Sequence, residues 1–282
     1  MTSPSHPRAT QPRRWRSLAL GASVTLAAAS PALADLQRPA PISLAMPGLW
    51  PAMPDARLWL AEGGEAGEAG ALAATGSAAA YLAEIALVEG HMVAARDLYA
   101  KGEAGLALDL SRLPEAEGML AAVRTGLAAH DAADFSPAIA AFTATMAKGA
   151  PLAEVEAALA VVSVGIAAAG AGEQAGLRSR FDAAVLLLKA AAGEYSGSIA
   201  GGKVTDEMAY HEAHAFVALA RRTMTELAAQ PLTATAAPRA LQAMQAADDA
   251  FGDMTKPELA VRDPAILFGV AARVELIASS VR

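Results

Sequence analysis

Apolar residues recur at alternating spacings of four and three over two neighbouring stretches. The first holds Leu177, Phe181, Ala184, Leu188, Ala191 and Tyr195; the second holds Tyr210, Ala213, Val217, Ala220, Met224 and Leu227. That period places each set on one stripe of an α-helix. Between the stripes lies GGKVTD, Gly201 to Asp206, with glycines free to take the left-handed backbone and Thr205 or Asp206 suited to cap the next helix. The pattern predicts two helices folded back as an antiparallel hairpin, with Leu188 and Val217 in the shared core.

The rest of the chain after Ser77 repeats the theme in alanine-rich segments. Pro114, Pro137, Pro151 and Pro264 read as first-turn prolines, whose missing N–H costs nothing there. Gly102, Gly149, Gly170 to Gly172 and Gly201-Gly202 read as stops. No segment sustains the alternation of a strand. The expected fold is all-α: an antiparallel helical bundle of seven or eight helices over 76–282, preceded by a Pro/Gly-rich extended arm or linker over 35–75. Leu82 to Gly102 reads as a long amphipathic helix. Ala157 to Gly172 carries no charge. At 1.5 Å per residue it spans about 24 Å, short of the roughly 30 Å hydrocarbon core, so it reads as a buried central helix.

The start of the chain has the layout of an export signal. Arg8, Arg13, Arg14 and Arg16 precede the apolar run SLALGASVTLAAA, and Ala32-Leu33-Ala34 forms a small-residue cleavage site. Cleavage after Ala34 by either the general secretory or the twin-arginine route implies an exported, periplasmic protein with no stable membrane span after processing. The whole chain has a formal charge of −7, and loss of those four arginines, with no acid among the first 34 residues, takes it to −11. Such a balance argues against nucleic acid as a partner. The absence of cysteine excludes disulfides and thiol chemistry.

Candidate binding residues gather at the hairpin. At about 100° per residue, Glu207, His211 and His214 share one flank of the second helix. Glu194, nine residues before Lys203, falls at their level on the facing helix. Imidazole and carboxylate together suit a transition-metal ion such as Fe, Cu or Zn. The bland alternative is a solvated rim in which Glu207 pairs with His211 at i,i+4. His91 is a secondary candidate ligand, and His130 reads as a helix-end residue favoured by the dipole. The spacing of HEAH is not the H-E-x-x-H of zinc proteases, and paired Glu-x-x-His motifs, a phosphate loop and a Gly-x-Ser-x-Gly elbow are lacking. An enzyme is not expected.

EGHMVAARDLYAKG, LPEAEGML and AAAGEYSGSIAGGKVTDEMAYHEAHAFV resemble segments of exported bacterial helical proteins. The last block is similar to the periplasmic helical domain attached to bacterial high-affinity iron permeases, through Tyr195, Gly202-Lys203-Val204 and Tyr210. It departs from that domain at His211 to His214, which replace a more acidic stretch, and in LALDLSRLPEAEG, which lacks histidine. The resemblance implies a non-enzymatic helical protein linked to metal uptake or sensing, with a metal ion or an unidentified protein as its partner. The alternative is a helical scaffold or interaction module without a metal site, since AARDLYAKGEAGLAL faintly resembles tetratricopeptide repeats, although no 34-residue period is sustained.

Overall fold

The computed structural model describes residues 77–173, 175–256 and 258–281. All of them belong to one compact unit, Met53–Arg282; the other unit, Met1–Ala52, lies outside the described residues. So do the export signal, its cleavage site and the arm.

Nine α-helices run in order among the described residues: α1 (Ala78–Lys101), α2 (Ala104–Ala116), α3 (Met119–Ala129), α4 (Ser136–Ala147), α5 (Leu152–Gly172), α6 (Leu177–Gly197), α7 (Glu207–Ala228), α8 (Ala236–Met244) and α9 (Ala265–Ala278). The all-α expectation holds. Two left-handed glycines, Gly102 at φ 94° and Gly118 at φ 78°, divide 78–129 into three helices and account for the larger number. Between α6 and α7, β1 (Ile199–Ala200) and β2 (Lys203–Val204) pair antiparallel around Gly201-Gly202. Both glycines have positive φ, as a tight two-residue hairpin turn requires. Asp206 then caps α7 by accepting from the Ala209 N–H at 3.1 Å.

Two apolar cores form. The first joins α6, α7, α8 and α9 and contains both predicted seams, with Phe181, Leu188, Tyr195, Tyr210, Ala220 and Met224 essentially inaccessible to solvent. Tyr195 and Tyr210 also hold the loop before α9: their hydroxyls donate to the carbonyls of Ala250 and Ala260, each at 2.8 Å, and both rings pack edge-on against Phe251. The second core joins α1 to α5 around Leu98, Leu110, Phe142 and Val162. Helix α1 serves both. Tyr81, Ile85, Val88, Met92 and Leu98 enter the second core, while Ala86, Leu87 and Val93 pack against the first. It is therefore not the amphipathic helix expected from its sequence, because both sides meet protein.

Two further expectations are corrected. Pro114 does not start a helix but lies in the last turn of α2, whose end comes at Glu117-Gly118. Helix α5 is not a buried central helix. Val155, Leu159, Val162, Ile166 and Ala169 make one inward stripe against α1 and α4, whereas Val161 and Val164 are 60% and 70% exposed. Helices α1 and α5 are both long and apolar enough to cross a membrane by length and composition, yet protein covers 61% of the apolar window in α1 and only 28% in α5.

Candidate functional site

The tripeptide Glu89-Gly90-His91, halfway along α1, makes the joint with α7. Glu89, almost wholly buried, receives a bidentate pair from Arg222. At Gly90 the Phe216 ring lies so close that a Cβ would overlap it, so only glycine allows α1 and α7 this approach. His91 sits across from Glu212, with Nε2 at 2.9 Å from Oε1. Apart from this ion pair, Glu212 Oε1 has no partner. The imidazole Nδ1 meets the Leu87 carbonyl at 2.7 Å. As the carbonyl can only accept, Nδ1 carries a proton and Nε2 is the nitrogen turned to Glu212.

Three acids surround this imidazole. Besides Glu212, the half-buried Glu194 of α6 lies within electrostatic reach of His91, Glu212 and Glu117, and Glu117, exposed at the end of α2, feels His91 and Glu212 in turn. Burial by itself would lower the His91 pKa, but the Glu212 carboxylate, the Leu87 carbonyl and the Glu194 charge reverse that and push it up to about 9. Burial, then the nearby Glu212 charge, pushes Glu194 up to about 7. Glu84, one heptad before His91 on α1, is buried and also raised to about 7 by desolvation.

The other flank of α7 is different in kind. His211 is buried to 1% exposure beneath α1, and neither ring nitrogen has a hydrogen-bond partner. Glu207 lies 3.9 Å from His211 Nε2, but its carboxylate is engaged by Lys101 from the end of α1. Burial first, and the Lys101 ammonium second, lower the His211 pKa to about 4, so the ring is neutral. This flank is thus no solvated rim. His214, one turn on, packs its ring edge-on to Phe251 at 5.2 Å and lines a cleft of about 150 Å³ with Arg221, Asp248 and Gly252. Its pKa is lowered by burial against the opposing pull of Asp97. His130 stacks on Tyr81 and contacts Glu173 at the end of α5, consistent with a role at a helix end.

The five candidate ligands are therefore distributed over three places. Glu194 joins His91, Glu207 joins His211, and His214 stands at the Phe251 cleft. Among the described residues, no three His, Asp or Glu side chains stand close enough together, as placed, to hold a metal ion. Sequence reasoning missed Glu212 and Glu117. The signal for Glu212 was its position one residue after His211, which turns it about 100° to the opposite flank, toward α6 and α1.

No curated protein and no solved structure matches the chain. Over residues 173–281, which take in α6 to α9 with Glu194, Glu207, His211, Glu212 and His214, the chain matches the family described as the iron permease-associated 4-helix bundle domain, and its C-terminal bundle is similar to that domain.

Proposed function

We propose that this is an exported, periplasmic, non-enzymatic helical protein that binds a transition-metal ion as cargo in the service of metal uptake. The observation that carries the reading is the similarity of residues 173–281 to a domain associated with iron permeases, coupled with ionisable side chains in the interior where that bundle meets α1. Buried ionisable groups cost stability unless paired or put to use, and groups with shifted pKa cluster at functional sites. The basic, apolar and small-residue order of the first 34 residues supports export.

The reading has two measurable consequences. The protein recovered from the cell envelope should begin at Asp35 by mass spectrometry, and cells lacking it should take up less labelled iron under iron limitation. Unchanged uptake, together with an unprocessed N-terminus, would overturn the proposal.

A second reading, an interaction module without a metal site, draws support from α5, whose Val161 and Val164 present an apolar face to solvent. Under that reading Val161→Glu with Val164→Glu would leave the protein folded yet reproduce the defect of cells lacking it.

A further inference from the structure

Helix α5 turns two apolar stripes to two different environments. Val155, Leu159, Val162 and Ile166 enter the core, while Ala157, Val161, Val164 and Ala168, about 200° round the helix, are exposed. No charged side chain interrupts the outer stripe between Glu156 and Glu173, and α4, its neighbour across a short turn, carries none between Ser136 and Ala147. The stripe is about 17 Å long at 1.5 Å per residue, and an apolar surface of that extent marks a place where something docks.

The chain brings its own occupant to it. Helix α5 runs antiparallel to α1: the Tyr81 hydroxyl donates to the Ala169 carbonyl at 3.4 Å near one end, and the Tyr99 hydroxyl donates to the Ala150 carbonyl at 2.6 Å near the other. Leu82 and Ile85 lie beside Gly170. Ser77, the N-cap of α1, therefore stands at the C-terminal end of the outer stripe, and everything before it in the chain arrives there.

What arrives is apolar and aromatic. All three tryptophans, Trp15, Trp50 and Trp59, precede Ser77, and Trp59 is flanked by Leu58 and Leu60. Trp59 lies 18 positions before Ser77, and a chain of that length can reach up to about 60 Å, well beyond the far end of the stripe. Charge agrees with the direction of approach. Arg57 precedes the triplet, and Glu154 is exposed in the first turn of α5, at the end of the stripe away from Ser77. A tethered segment also meets its site at an effective concentration on the order of 1 mM, an advantage that a second copy or a lipid surface lacks.

We propose that Leu58-Trp59-Leu60, in the chain ahead of α1, docks on the outer stripe of α5 at Val161 and Val164, with Arg57 towards Glu154. The contact depends on neither reading of the function, and any other partner of that face would have to displace it.

The test uses the full chain with Trp15→Phe and Trp50→Phe, which leaves Trp59 as its single tryptophan. Its fluorescence should be blue-shifted and shielded from acrylamide relative to the same protein in urea, at every protein concentration. Carboxylates are unfavourable against an apolar triplet, so adding Val161→Glu with Val164→Glu should raise the quenching constant at least about threefold. Both positions are exposed, and circular dichroism should be unchanged. Leu58→Ser with Leu60→Ser should have the same effect without touching α5, whereas Leu276→Glu, exposed on α9, should have none. A Trp59 quenched as freely as in urea, or shielded equally in the α5 double variant, overturns the proposal. So does shielding that grows with protein concentration or appears only with added phosphatidylglycerol vesicles, which would assign the face to a second copy or to a lipid surface.

Discussion

His91 and His211 lie on the same helix pair, both buried, yet at neutral pH one is cationic and the other neutral. Burial acts on each in the same direction, favouring the neutral ring. The difference comes from what faces them. His91 meets the carboxylate of Glu212 with Glu194 behind it, whereas His211 meets the ammonium of Lys101, and the one carboxylate nearby, Glu207, is already taken by that lysine. The charge of a buried histidine is thus decided by the order of acids and bases on the helix packed across from it, a property no single helix carries.

The largest test of this contrast removes a partner. In the metal-free protein Glu212→Leu leaves a buried imidazolium without its counter-charge and should destabilise by about 3–5 kcal/mol at pH 7 in urea unfolding. His211→Leu removes a ring with no hydrogen bond to lose and should cost less than about 1 kcal/mol or stabilise slightly. Equal losses would show that the two histidines are held alike.

The two rings should also respond to pH on opposite sides of neutrality. His91 has its pKa raised from 6.5 to about 9, so its contribution is full below pH 6.5 and is lost as pH rises through 9. His211 is lowered from 6.5 to about 4, so its contribution is present above pH 6.5 and is lost as pH falls through 4. Glu194, raised from 4.5 to about 7, adds a decline as pH rises that is nearly complete by pH 7, which leaves the range up to 9 to His91. Melting temperature followed from pH 4 to 9 should therefore flatten on the alkaline limb in His91→Gln and on the acid limb in His211→Gln.

A smaller effect sharpens the role of the ammonium. Lys101→Met takes away the second cause of the depressed His211 pKa while leaving its burial intact. The His211 titration, followed by NMR of the ring protons, should move upward but stay below the ordinary value of 6.5.

What the sequence revealed and what it hid divide along the same line. The α6–α7 hairpin was legible because every contact that makes it is local: the seams from Phe181 to Tyr195 and from Tyr210 to Leu227 are buried, and Asp206 caps α7. Glu194 and Glu207 were placed at the level of the histidines, but which acid meets which histidine depends on α1, more than a hundred residues away. That helix supplies Lys101 to one flank and His91 to the other. The outward Val161 and Val164 of α5 were misread for a related reason, since a segment without charge looks buried from its own residues whether or not a neighbour covers it. Tyr195 and Tyr210, which carry the resemblance to the iron permease domain, turn out to tether the loop before α9.

The placement of α1 between the two cores has a consequence for how the protein comes apart. A helix that walls both sides cannot leave one without baring the other, so the C-terminal bundle has no independent melting transition to offer. Residue 173, where the similarity to the iron permease-associated domain begins, is then a boundary of resemblance but not of cooperativity. Whatever tightens the α1–α7 joint at Gly90 and Phe216 holds both halves closed at once.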